Sequence, residues 1–95
     1  MAARKIRPIR IEGNLAYVPL TKGYEAVIDA ADVPLVTGWN WYAHVTPWTV
    51  YAARGNHSGG MPRTVYMHGA IVGAVEGFTP DHRDTDGLNN RRYNL

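Results

Sequence analysis

Four short runs of β-branched and aromatic residues, joined in pairs by turn formers, constrain this chain more than any other feature. Ala16-Tyr17-Val18-Pro19-Leu20-Thr21 and Tyr24-Glu25-Ala26-Val27-Ile28-Asp29 flank Lys22-Gly23 and read as one hairpin. Residues 39–45 and 48–54 flank Thr46-Pro47 and read as a second. Alternation places Trp39, Trp41, Ala43 and Val45 on one face. Because all three tryptophans fall in this stretch, aromatic burial is expected to build much of the core; the alternative is a small aromatic sheet that stacks exposed bases, with one or two rings at the surface. Proline cannot donate to a ladder, so Pro19 predicts that its strand lies at a sheet edge.

Around these hairpins the signals are weaker. Residues 1–13 read as a loose arm or an edge strand, with Ile6, Ile9 and Ile11 apolar and Pro8 interrupting any ladder. Asp29 is placed to cap a short helix over residues 30–36, which Gly38 would end. Residues 55–62 are rich in turn formers and read as a flexible loop that leaves His57 solvated. A strand over 63–67 then leads into a helix over 68–75, weakened by Gly69 and Gly73. His68 at its start is expected to be a hydrogen-bonded structural histidine.

With 95 residues the chain makes one domain, and with no cysteine it has neither a disulfide framework nor a thiolate zinc site. No apolar run resembles a signal peptide or approaches the roughly 20 residues of a membrane span. The expectation is therefore a cytoplasmic protein. Net charge is only +2, yet Arg4, Lys5, Arg7 and Arg10 crowd the first ten positions with no acid among them. A polyanionic partner fits that bias, although a solvated tail explains the arm equally well.

The densest chemistry lies in Asp81-His82-Arg83-Asp84-Thr85-Asp86-Gly87-Leu88-Asn89-Asn90-Arg91-Arg92-Tyr93-Asn94-Leu95. Asp-Gly is a two-residue hairpin signal, since glycine takes positive φ without cost, so residues 80–83 and 88–89 are expected to pair. Asn90 would cap a following helical turn, and Asn94, four residues on, would share its face. Asp81, His82, Asn90 and Asn94 would then converge. Oxygen donors without sulfur suit a hard divalent cation, and an imidazole can deprotonate water near neutrality. A calcium loop fits less well, because the template's first and twelfth positions carry His82 and Tyr93 in place of acids. A plain polar hairpin accounts for Gly87 and one asparagine but leaves the Asp-His pair and Asn94 unexplained.

Asp81-His82, the short polar hairpin and Asn89-Asn90-Arg91-Arg92-Tyr93-Asn94-Leu95 together resemble the site of the HNH endonucleases, in the variant whose last member is asparagine. The close likeness covers residues 80–95. A looser one, to phage-type and homing-type members, extends to Trp39-Asn40-Trp41-Tyr42-Ala43 and Val65-Tyr66-Met67-His68. The resemblance implies an α+β fold in which a small antiparallel β-rich part precedes a short helix and a C-terminal ββα-metal motif. In that division residues 1–13 form the basic arm, 14–67 the scaffold, 68–77 the linking helix and 78–95 the motif. It implies that Asp81 and Asn94 bind one divalent cation, magnesium or else manganese, that His82 is the general base, and that Asn90 orients its ring. Arg83, Arg91 and Arg92, with Arg4, Lys5, Arg7 and Arg10, become candidate nucleic-acid contacts. The implied function is DNA phosphodiester hydrolysis on double-stranded DNA, with a homodimer compatible. The alternative is a catalytically inactive DNA-binding protein on the same scaffold. Relatives usually continue the helix past the last asparagine, so a truncated, minimal or partner-completed form is expected here.

Overall fold

The structure, a computed structural model, describes residues 6–56, 63–73 and 85–95. The chain is α+β, with two three-stranded antiparallel sheets and short helices. The first sheet joins β1 (Arg10–Glu12), β2 (Leu15–Pro19) and β3 (Glu25–Asp29) in sequence order. Register sets Ala16 opposite Ile28 and Val18 opposite Ala26, so each large side chain on the buried face meets a small one. These four residues are almost wholly buried.

β2 is thus the central strand, contrary to the expectation from Pro19. The reason lies in the register. Arg10 pairs with Tyr17, and the same register carried two residues further sets Pro8 opposite Pro19. Neither proline has an N–H to donate, so the β1 ladder stops where β2 no longer needs it.

Asp29 leads into a 3-10 turn, Ala30–Asp32, and then α1 (Val33–Val36), where Pro34 is tolerated in the first turn. The Asp29 side chain does not cap this helix. The second sheet joins β4 (Tyr42–Val45), β5 (Val50–Asn56) and β6 (Arg63–Tyr66), with Tyr42 opposite Ala53 and Ala53 opposite Tyr66. β6 runs directly into α2 (Met67–Val72). That helix stops earlier than its apolar run predicts because Gly73, at φ 74°, turns the chain while its N–H bonds the Gly69 carbonyl.

The core between the sheets and helices is mainly aliphatic: Val18, Leu20, Ile28, Val36, Met67 and Ile71 are buried. Of the three tryptophans only Trp41 is enclosed, at 1 % exposure, with its indole N–H on the Val36 carbonyl at 2.9 Å. Trp39 and Val45 are half exposed and Trp48, at the β4–β5 turn, is 89 % exposed. The predicted aromatic face is therefore covered only in its middle. β4 begins only at Tyr42, the Ala43 N–H in its middle donates to Thr21 Oγ1, and α2 packs on β5. Among the described residues no helix is long and apolar enough to cross a membrane.

Candidate functional site

Residues 85–95 are fastened to the rest of the fold at three places. The first is the turn at Asp86-Gly87. Asp86 Oδ1 accepts the Leu88 N–H at 3.0 Å, the Asp86 carbonyl accepts the Asn89 N–H at 3.1 Å, and the Gly87 N–H reaches Thr49 Oγ1 at 2.9 Å. Glycine is required here for a reason other than the expected positive φ. In this turn positive φ belongs to Thr85, whereas a Cβ on Gly87 would stand 2.4 Å from the Val50 carbonyl oxygen and 2.8 Å from Tyr51 Cδ1. Close approach to β5 decides the residue.

The second fastening is a parallel bridge beside β3. The Val27 N–H bonds the Leu88 carbonyl and the Asn90 N–H bonds the Val27 carbonyl, both at 2.8 Å. Residues 88–90 so extend the first sheet by a single pair. The opposite hairpin arm, residues 80–83, lies outside the described residues.

The third is a double ion pair. Arg91 Nε meets Asp29 Oδ1 at 2.9 Å, and Arg92 Nε meets both Asp32 oxygens at 3.0 and 2.9 Å while its Nη2 donates to the Ile71 carbonyl at 3.1 Å. The Arg92 backbone N–H also donates to Asp29 Oδ2 at 3.0 Å. Asp29 therefore caps the C-terminal turn rather than the helix that follows it in sequence. That backbone bond first, and then the Arg91 guanidinium, hold its carboxyl below the usual carboxylate range.

A carboxyl lowered in the folded state stabilises the fold above its unfolded pKa of about 3.9, and the contribution disappears as pH falls through the lower folded value. Asp29→Asn is expected to lower the unfolding free energy measured in urea at neutral pH by about 1 kcal/mol, as for a partly exposed charged pair. The gap between the two proteins should close in the acid range below that unfolded value. Parallel pH profiles down to pH 2 would remove Asp29 as the anchor.

The helical turn that Asn90 was expected to cap starts one residue further on, as a 3-10 turn over Arg92–Asn94 with Arg91 at its cap position, so Asn90 is not the N-cap. Its backbone N–H bonds the Val27 carbonyl. Both asparagines are nonetheless fully enclosed, Asn90 at 0 % and Asn94 at 1 % exposure. Asn94 Nδ2 donates to the Asn89 carbonyl at 2.8 Å, so that side chain folds back to the backbone beside Asn90. With Nδ2 committed as a donor, Oδ1 is the Asn94 atom suited to a hard cation.

The other expected ligand, Asp81, and the expected base, His82, lie outside the described residues, as do Arg83, Arg4 and Lys5. Among the described residues no group of three or more His, Asp or Glu side chains could hold a metal ion. Arg10 is paired with Glu12 at 3.0 Å and Glu25 at 3.3 Å. His68 is buried, stacked on Tyr66 with centroids 5.5 Å apart and tilted against Tyr51 at 5.7 Å. Tyr51 is also the ring against which Gly87 closes, so the turn, β5 and α2 meet around it.

No family model, curated protein or solved structure matches this chain. The functional reading accordingly rests on the residues themselves. Sequence reasoning missed Asp32 and assigned Asp29 to the wrong helix end. The available signal was a pair of acids three apart, matching adjacent arginines 60 and 62 residues away.

Proposed function

We propose that this chain is a metal-dependent nuclease that hydrolyses phosphodiester bonds of DNA. The observation that carries the reading is the enclosure of Asn90 and Asn94 on an anchored C-terminal segment. Enclosed amides need bonded partners, and both have them, so the two side chains are held in fixed positions on this segment. The spacing of these asparagines from Asp81-His82 in sequence supports the same conclusion.

Asp81 and Asn94 offer oxygen donors that suit a magnesium ion, which supplies stabilisation of the charge that develops on phosphate oxygens. His82, neutral, takes a proton from the attacking water at an imidazole nitrogen. Asn90 orients that ring through a hydrogen bond. Arg83, Arg91 and Arg92 stand close in sequence to these groups and contribute positive charge for the backbone of the substrate. In Arg91 and Arg92 that role is shared with the ion pairs that hold the segment in place.

Supercoiled plasmid incubated with the protein and magnesium is expected to be nicked, and excess chelator should stop the reaction. Retarded but uncut plasmid in magnesium and in manganese would instead establish a DNA-binding protein without turnover.

A further inference from the structure

Among the described residues, Arg7 and Arg54 lack the carboxylate partner that Arg10, Arg91 and Arg92 have. Both are half buried and both are seated on one short stretch of chain. Arg7 donates from Nη2 to the Trp41 carbonyl, and its backbone N–H donates to Asn40 Oδ1 at 2.9 Å. The Arg54 guanidinium lies 4.0 Å from the centre of the Trp39 ring and 5.5 Å from that of Trp41. Its only hydrogen bond among the described residues, from Nη1 to the neighbouring Gly55 carbonyl, is 3.5 Å long. The Nε of each arginine is shut away from solvent with no acceptor.

Partly desolvated charge without a counter-ion is costly, and a bound anion would offset that cost. The surroundings say which anion. Trp39 is 47 % exposed, with Arg54 over its ring, and it walls an open groove of about 290 Å³ whose lining also includes Arg7, Val33, Gly38 and Asn40. A guanidinium fork matches phosphate oxygens, and an exposed indole stacks any base. An acidic peptide would satisfy the charges but offer no flat ring to the part of Trp39 that Arg54 leaves exposed.

We propose that Arg7 and Arg54 hold backbone phosphates of a nucleic-acid strand while an unstacked base of that strand lies on Trp39. This surface rests on the nucleic-acid reading of the protein but not on its chemistry. Its residues, Arg7, Trp39 and Arg54, lie before β1, in the 37–41 segment and on β5, whereas the proposed hydrolytic residues lie in 81–94.

Binding of a labelled single-stranded oligodeoxynucleotide, followed by fluorescence anisotropy in chelator across a salt series, tests it. Trp39→Ala should weaken binding about tenfold at every salt concentration, the loss expected for one base stack. Arg54→Gln should lower the slope of log affinity against log salt by about 0.7, the loss of one phosphate contact. Arg54→Lys should keep the slope, and provides the charge comparison if the glutamine variant does not fold. Wild-type affinity and slope in folded Trp39→Ala and Arg54→Gln proteins overturn the proposal. So does competition by polyglutamate as effective as that by unlabelled oligonucleotide. Wild-type protein that binds but never cuts refutes the nuclease and spares this surface. Protein that cuts while all three variants bind normally does the reverse.

Discussion

His82→Ala is expected to abolish the proposed plasmid cutting while leaving duplex affinity within about twofold of wild type. Loss of a positioned general base typically costs 10²- to 10⁴-fold in rate, roughly 3–5 kcal/mol of barrier, whereas a neutral imidazole contributes little to holding a polyanion. The pH profile carries the same sign. Only the unprotonated ring accepts a proton, so cutting should fall as pH drops through about 6.5, the ordinary histidine pKa. Comparable rates in the two proteins, or a rate that stays level between pH 5 and 8, would take His82 out of the reaction. Equal loss of binding and cutting would recast it as a structural or DNA-contacting residue.

The second large effect concerns the turn that connects the C-terminal segment to β5. Gly87→Ala places a Cβ at 2.4 Å from a backbone oxygen of Val50, too close for any contact between unbonded heavy atoms. Backbone cannot swing aside as a long side chain can, so either the turn or the strand must shift. Overpacking of this kind costs about 1–3 kcal/mol. In a domain of this size that corresponds to a fall in Tm of roughly 5–20 °C. Shortening Tyr51 to leucine should not rescue the variant, because the nearest atom belongs to Val50. An unchanged melting curve, or full rescue by the Tyr51 variant, would show that the turn does not press on β5. The Gly87 N–H donates to Thr49 Oγ1 in the same place, so the clash would break a long-range hydrogen bond as well as crowd the strand.

The two effects separate chemistry from architecture. His82→Ala should melt like wild type and fail to cut. Gly87→Ala should lose activity only in step with its folded fraction if the turn merely positions the segment. A loss of cutting much larger than the loss of folded protein would place the turn nearer to the reaction.

Much of the strand layout was legible from local pattern. The first hairpin was expected at residues 16–21 and 24–29 and occurs at Leu15–Pro19 and Glu25–Asp29, because β-branched runs about a glycine leave few other conformations. The second was expected to begin at Trp39, but β4 begins at Tyr42. Alternation reports which residues share a face and not how far a neighbour covers it, so Trp39 and Val45 were assigned to a core that ends short of them. The helix after β6 was read two to three residues too long, since Gly69 and Gly73 look alike in sequence while only Gly73 takes positive φ.

The candidate site divides in the same way. Asn90 and Asn94 stood out as residue types that ordinary packing does not require, and both are enclosed. The mode of enclosure was not legible. Asn90 reads as a cap because asparagine favours that position, but the turn starts one residue later, with Arg91 at its cap position and Asp29 accepting the Arg92 N–H. Arg91 and Arg92 look like free positive charge in sequence, and only the fold shows that Asp29, at the end of β3, and Asp32, in the turn after it, meet them. Conversely, Arg54 drew no attention in the sequence and emerges as a cation without a carboxylate beside an exposed ring.

By itself the amino-acid order determined what depends on neighbours within a few positions: turn chemistry, two-residue alternation, the breaks at proline and glycine, and a dense set of reactive residue types near the C-terminus. Tertiary structure alone decided which tryptophan is enclosed, why residue 87 has no side chain, and which arginines are neutralised. The Gly87 turn and the Arg91 pair depend on residues far apart in sequence, 38 positions for Thr49 and Gly87 and 62 for Asp29 and Arg91. Such separations are set by how sheets and turns stack, and no local period in the chain records them.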